Sequence, residues 1–329
     1  MDYAGRYPIF DFAAVKTYPL SERPNVLKRE EIVQPEAVAG AAERWPNETL
    51  AEVASHVLQA RARGLPVILF TGAHPIKLGF SPLIIDLMAR GIITLLATNG
   101  AGSIHDFELA LIGETSENVP NALPKGLFGM AEETGALING ALRAGNEALL
   151  GYGESMGRMI STGWPAGIEF PHKDISILGR AYELGIPATV HATIGTDIID
   201  QHPSFDGSAK GGTSGRDFGI FAHAVCGLAG GGVVLNVGSA VTGPEVLLKT
   251  VSMAANIGKP PEGLITANFD LRAAGPEDIV YPGQHKYYYR DIKSVVTRIP
   301  QAFHGKGYMV AGNFLDSIPA LYDLLTRCG

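Results

Sequence analysis

Residues able to move protons or hold polar ligands recur in this sequence just after short apolar runs. Thr71, Gly72 and His74 follow Pro66-Val67-Ile68-Leu69-Phe70. Asn99, Gly100, Gly102, Ser103, His105 and Asp106 follow the run that begins at Ile92. After Ala188–His191 come Thr196, Asp197, Asp200, His202 and Asp206. After Val233–Asn236 come Gly238, Ser239 and, further on, Glu245. Thr266, Ala267, Asn268 and Asp270 end another run, and Gly312-Asn313 the last. Imidazoles and carboxylates can act as general acids and bases. Glycines let a ligand approach the backbone closely. The turn Asn99–Gly102, placed between a strand and a helix, gathers free backbone N–H groups and a helix dipole, which suits an anionic group.

Each residue also has a plainer role. Asn99 and Ser103 fit turn and N-cap positions. His105 is an acceptable polar residue in a first helical turn, and the dipole favours Asp106 there. The glycines at 230–232 and 238 can serve packing alone. His191, Asp197 and His202 are metal-ligand types, but their spacing matches no zinc or iron pattern. The main reading is therefore metal-free, with a metal-dependent hydrolase or lyase at these three residues as an alternative. No GxGxxG follows a strand, and neither a P-loop lysine nor a GxSxG elbow occurs. These absences argue against an ordinary Rossmann dehydrogenase, a P-loop kinase and an α/β-hydrolase.

The elements that must position these residues alternate. Helical patterns at Asn47–Arg63, Ser81–Arg90, Asp174–Leu184, Asp217–Leu228, Glu245–Asn256 and Ser317–Thr326 separate six apolar strands. The strands lack two-fold alternation, which implies burial on both faces and a mostly parallel, doubly wound α/β sheet. In such a sheet ligands bind beyond the carboxyl ends of the strands, where the residues above gather. The expectation is a single α/β domain over 1–329. Residues 1–46, with five prolines, form an extended arm, and 113–171 a helical insertion without strands. Of 329 residues, 46% are hydrophobic and 18% charged, enough for a large core, and the net charge is −7. No cluster of Lys and Arg is present, so nucleic acid and anionic membrane surfaces are not expected partners. Two cysteines without a motif exclude a disulfide framework and fit a cytoplasmic protein. The uncharged stretch from Phe218 to Pro244 is split by Gly230-Gly231-Gly232 and reads as a buried helix and strand rather than a membrane span.

The stretch TGAHPIKLGFSPLIIDLMARGIITLLATNGAGSIHDFELAL (71–111) resembles the core of the deoxyhypusine synthase-like family. So do ISILGRAYELGIP (175–187), GGVVLNVGS (231–239), ITANFD (265–270) and YMVAGNFLDSIPALYDLL (308–325). The resemblance implies NAD as cofactor and a small-molecule amine or nucleotide as ligand. It also implies a homo-oligomer, dimeric or tetrameric, with an active site shared between subunits. It places Thr71, Gly72, His74, Asn99, Gly100, Gly102, Gly238, Ser239, Thr266, Ala267 and Asp270 along the cofactor. Ser103 and Asp197 are grouped with them. His105 and Asp106 would hold the amine, Glu245 or Asp270 would move protons, and Lys286 would form an imine, with Lys306 as competitor. The implied activity is a transferase of the deoxyhypusine or homospermidine synthase type, acting on a polyamine or another amine with aminobutyl transfer. A non-catalytic NAD- or nucleotide-binding protein is the other alternative. The chain departs from the family in four places. It lacks the WGK signature around Lys286, it has SAVTGPE where the family has a His-rich turn, GTDIIDQHPSFDGSAKGGTSGRDF has no family counterpart, and the closing strand ends in Gly312-Asn313 where the family has an aspartate.

Overall fold

The apolar runs become strands because each can bury both faces. In the computed structural model, which describes residues 3–273 and 288–327, Val67 and Leu69 enter one core and Ile68 and Phe70 the other. A strand with water on neither side needs no polar alternation.

In chain order, β1 (Asn25–Leu27) and the single turn α1 (Ala41–Arg44) precede α2 (Glu48–Ala62) and β2 (Val67–Thr71). Next come α3 (His74–Lys77), α4 (Ser81–Ala89), β3 (Leu95–Asn99) and α5 (Gly100–Ile112). Then follow β4 (Thr115–Glu117), α6 (Val119–Ala122), α7 (Glu132–Glu147) and α8 (Tyr152–Thr162). The alternation resumes with α9 (Ile177–Leu184), β5 (Ala188–His191), α10 (Gly207–Val225), β6 (Val233–Val237) and α11 (Thr242–Asn256). It ends with β7 (Ile265–Asp270), α12 (Ile299–Ala302), β8 (Lys306–Ala311) and α13 (Phe314–Thr326). Six of the strands form one parallel sheet in the order β5-β3-β2-β6-β7-β8, so the expected doubly wound α/β fold is present. The chain builds outward from β2 through β3 to β5, then returns to β6 on the other side of β2. The topological switch point thus lies between β2 and β6, the place where such sheets open a crevice at their carboxyl ends. No helix among the described residues is long and apolar enough to cross a membrane.

Two expectations need correction. The segment 113–171 holds a strand after all: β4 pairs antiparallel with β1 from the arm, Asn25 facing Glu117 and Leu27 facing Thr115. Three residues are too few to show a period. Helix α10 begins at Gly207, ten residues before the predicted start. Its first half, GSAKGGTSGR, is poor in helix formers, but two things compensate. Asp206 caps it by accepting from the N–H groups of Ser208 and Ala209. Its small residues also permit close packing: a β-carbon on Gly212 would lie 2.3 Å from Asn146 Oδ1 on α7.

The arm is bound to its own chain through a buried ion pair. Arg23 donates from both terminal nitrogens to the two Glu108 carboxylate oxygens, at 2.9 and 2.6 Å. Each oxygen accepts once more, from Thr134 Oγ1 (2.9 Å) and Thr115 Oγ1 (2.6 Å). Burial alone would raise the Glu108 carboxyl, but Arg23 overrides it and holds the group below its ordinary value. Removing one partner of such a pair strands the other charge in the core. Arg23→Met should therefore lower the unfolding free energy by about 3–5 kcal/mol in urea titrations. An unchanged midpoint would mean that the arm is not anchored there.

Candidate functional site

Helix α5 starts directly at the end of β3, and its turns sort its side chains. Asn99 caps it, its Oδ1 accepting from the Gly102 N–H at 2.8 Å. From there, Ala101, Ile104, His105 and Glu108 fall on one face, three and four residues apart. That face lines a cavity of about 250 Å³. Its other walls are Lys77 of α3, Arg23 of the arm, Ser116 and Glu117 of β4, and Thr196, Asp197 and Ile198 after β5. Asp106 is one residue on from His105, about 100° around the helix, and points elsewhere. It is fully buried, accepting from Ser176 Oγ (2.6 Å) and from the N–H groups of Ile177 (2.7 Å) and Leu178 (3.0 Å) at the start of α9. Burial pushes its pKa up to about 6 against the pull of these donors. The pair read together in the sequence is therefore divided, with only His105 facing the cavity.

At the first residue of α5 lies a carboxylate of the chain itself. A β-carbon on Gly100 would lie 2.0 Å from Asp197 Oδ2, so the Asp197 carboxylate packs on the first residue of the helix. Lys210, from α10, holds that carboxylate in place. Its buried ammonium donates to Asp197 Oδ2 (2.7 Å), Asp200 Oδ1 (2.6 Å) and the Thr193 carbonyl (3.1 Å). Burial raises the Asp197 pKa and Lys210 works against the rise. Lys210 is the member of this cluster that sequence reasoning passed over, in the segment without a family counterpart.

On the switch-point side, the backbones of β2 and β6 close on each other. Gly72 N–H donates to the Val237 carbonyl at 2.9 Å, and a β-carbon on Gly72 would lie 2.1 Å from Gly238 O. Gly238 itself adopts φ +72°, a conformation that favours glycine. Thr71 is buried and donates to the Gly72 carbonyl, Ser239 Oγ accepts from the Gly243 N–H, and His74 stands exposed at the start of α3. Thr71, Gly72, His74, Gly238 and Ser239 are thus gathered at one point.

Other candidates lie elsewhere. Ser103 is turned inward, donating to the Gly100 carbonyl and close to the Tyr152 hydroxyl. Because β7 runs on to Asp270, Thr266 and Ala267 stand inside the sheet, opposite Val234 and Leu235, and not at its carboxyl edge. Thr266 Oγ1 bonds the Val295 carbonyl of the π-helical turn Ile292–Arg298. Asp270 does reach the edge, where it binds Arg272, which holds its pKa low against burial. Glu245 pairs with Lys249 and Arg290 on the surface of α11. Lys306 is exposed at the amino end of β8, opposite the cavity side. Lys286 lies outside the described residues.

The alternative metal site does not assemble. The His191 ring stacks on Phe70 and meets Phe221 edge-on, while its Nε2 bonds Thr189 Oγ1 at 3.1 Å. His202 Nδ1 bonds Ser204 Oγ at 2.7 Å, and Asp197 is taken by Lys210. Among the described residues, no three His, Cys, Asp or Glu side chains come together to hold an ion.

Burial lowers His191 and His105 alike from 6.5 to about 4. A histidine whose folded pKa is depressed contributes stability above its unfolded pKa and loses it as pH falls from 6.5 towards 4, because only the unfolded chain takes up the proton. For the buried His191 the whole window is worth about 3 kcal/mol. Urea titrations across that pH range should show stability falling with acid, with a shallower slope in His191→Gln. An identical slope in the variant would contradict the assignment.

Against known proteins, no family model and no curated protein matches the chain. Among solved structures it is similar to ArgZ, an arginine dihydrolase of the ornithine–ammonia cycle in cyanobacteria. The identity is 14% over 87% of this chain and 34% of that one, with a TM-score of 0.50. A protein of Methanococcus maripaludis S2 assigned as LOR/SDH gives 16%, 90% and 74%, with a TM-score of 0.48. One of Entamoeba histolytica assigned as a deoxyhypusine synthase gives 9%, 95% and 97%, with 0.41. The chain spans about a third of the length of ArgZ. The likeness to ArgZ is thus one of fold, at low identity.

Proposed function

We propose that this chain is an NAD-dependent enzyme acting on a small amine or amino acid. One observation carries the reading. The cavity between α5, β4 and the turn after β5 holds an imidazole and charges of both signs, and it opens at the same sheet edge as the switch point between β2 and β6. The dinucleotide is assigned to that switch point, where Gly72, Gly238 and Ser239 leave backbone and small side chains at the strand ends. The bound nicotinamide would supply a hydride acceptor.

The cavity residues do the rest. Glu117 is a fixed carboxylate: Tyr18 donates to its Oε1 at 3.3 Å and the Gly129 N–H to its Oε2 at 2.9 Å. It would pair with the substrate ammonium, because a charge-assisted hydrogen bond in a partly desolvated site is stronger than a neutral one. Lys77 forms no salt bridge among the described residues and would receive a substrate carboxylate. An amino acid would thus be held at both ends and a simple amine at one. Fixed charges of this kind orient a substrate without reorganising.

Calorimetric titration with NAD, then mass spectrometry of amine and amino-acid panels incubated with protein and NAD, tests this reading. Saturable binding and conversion of an amine are expected. Glu117→Gln should lower kcat/KM about tenfold or more with NAD affinity unchanged. No heat with NAD would sink the reading. NAD binding without conversion of any amine would support the non-catalytic nucleotide binder instead.

A further inference from the structure

The hydrogen-bond chain behind His105 fixes where its proton sits. Glu108 is bound by both terminal nitrogens of Arg23 and is held anionic, so it can only accept. Thr115 Oγ1, 2.6 Å from Glu108 Oε2, must therefore spend its single hydrogen on that carboxylate. Its oxygen lies 2.8 Å from His105 Nδ1 and has only lone pairs left to offer. Nδ1 must then be the nitrogen that carries hydrogen, and in a neutral imidazole Nε2 is bare. Nε2 makes no hydrogen bond among the described residues, and the ring lines the cavity.

We propose that His105 presents a bare Nε2 to the cavity as a hydrogen-bond acceptor, and that Arg23 fixes it in that form through Glu108 and Thr115. The arm is then part of the site: a residue far from α5 in sequence sets the protonation state of a group on α5. The arrangement has the logic of a base oriented by a second group that is itself held by a third. Its order here is imidazole, hydroxyl, carboxylate and guanidinium. Two further features fit. The segment carrying Thr115 is strained at its neighbour, since Ser116 adopts φ +76°, and such strain persists only where surrounding contacts enforce it. The groups with most influence on the ring are Glu108 on its own helix, Lys77 and His74 from α3, and Arg23 from the arm; Glu117 of β4 and Asp197 after β5 line the same cavity. Burial is the largest influence, Lys77, Arg23 and His74 disfavour the imidazolium, and Glu108 favours it; together they lower His105 to about 4 and leave it neutral at neutral pH. A neutral ring with its acceptor nitrogen open can accept a hydrogen bond from a substrate ammonium and so orient it.

The proposal rests on reading this cavity as the substrate site, yet its test needs neither NAD nor substrate. Absence of amine turnover would count against that reading and leave the following outcomes intact. NMR of the full chain with isotope-labelled histidine, with the His105 signal identified by its loss in His105→Gln, reports which nitrogen carries hydrogen. The expected result is a protonated Nδ1 and a bare Nε2, unchanged down to pH 5. Diethyl pyrocarbonate, which acylates an unprotonated imidazole nitrogen, should mark His105 in peptide maps. Thr115→Val leaves Glu108 bound to Arg23 and Thr134, but removes the acceptor for Nδ1–H. It should shift the tautomer ratio about tenfold towards Nε2–H, and Thr115→Ser should restore it. A protonated Nε2 in the unaltered protein, resistance of His105 to acylation, or an unchanged ratio in Thr115→Val would each overturn the proposal.

Discussion

Carboxylates buried around helix α5 govern this structure, because each must be neutralised or hydrogen-bonded by something brought from far along the chain. Asp106 draws in the N-terminus of α9. Glu108 draws in the arm through Arg23, and β4 through Thr115. Asp197, packed on Gly100, draws in α10 through Lys210. A carboxylate taken out of water without a partner costs several kcal/mol, so these contacts are obligatory wherever the burial occurs. Remote segments are thereby fixed against one helix, and two of the residues involved, Arg23 and Asp197, line the cavity beside it.

This explains why the parts of the site come from such different places. A helix shows a given face only at three- and four-residue steps, so α5 alone offers the cavity Ala101, Ile104, His105 and Glu108. Some of the remaining walls are supplied by segments that also bear on a buried charge. Arg23 neutralises Glu108 and lines the cavity, and Asp197 sits on the helix N-terminus and lines it too. Stability and site are built from the same side chains.

What could be read from the sequence follows the same division. The sheet was legible because parallel strands announce themselves as apolar runs, and the gathering of Gly72, Gly238 and Ser239 follows from strand order once the fold is known. His105 and Asp197 stood out because they follow strands. The opposite orientations of His105 and Asp106 were hidden, since adjacency in sequence says nothing of the 100° between neighbours on a helix until the register of its faces is fixed. Arg23, Thr115 and Lys210 were missed for another reason. Their roles depend on contacts across 85, 7 and 13 residues, and no local pattern marks the two long ones. The glycine-rich start of α10 read as a loop because propensity is local, while the close packing that rewards small residues is tertiary.

The occupied terminus of α5 also bears on the chemistry. A helix N-terminus that opens a βα unit would ordinarily attract a phosphate. Here the Asp197 carboxylate already lies beside Gly100, which disfavours a second anion at that point and is consistent with the proposed dinucleotide site at the switch point instead. Lys210, the buried lysine in this cluster, does not offer the lone pair that an imine requires: three acceptors hold its ammonium, two of them carboxylates. Asp197, Asp200 and Lys210 together carry one net negative charge beside the cavity. Under the proposed function, that charge, with Glu117 also lining the cavity and Lys77 as a counterweight, would stabilise a substrate cation, and the bare Nε2 of a neutral His105 would accept a hydrogen bond from it.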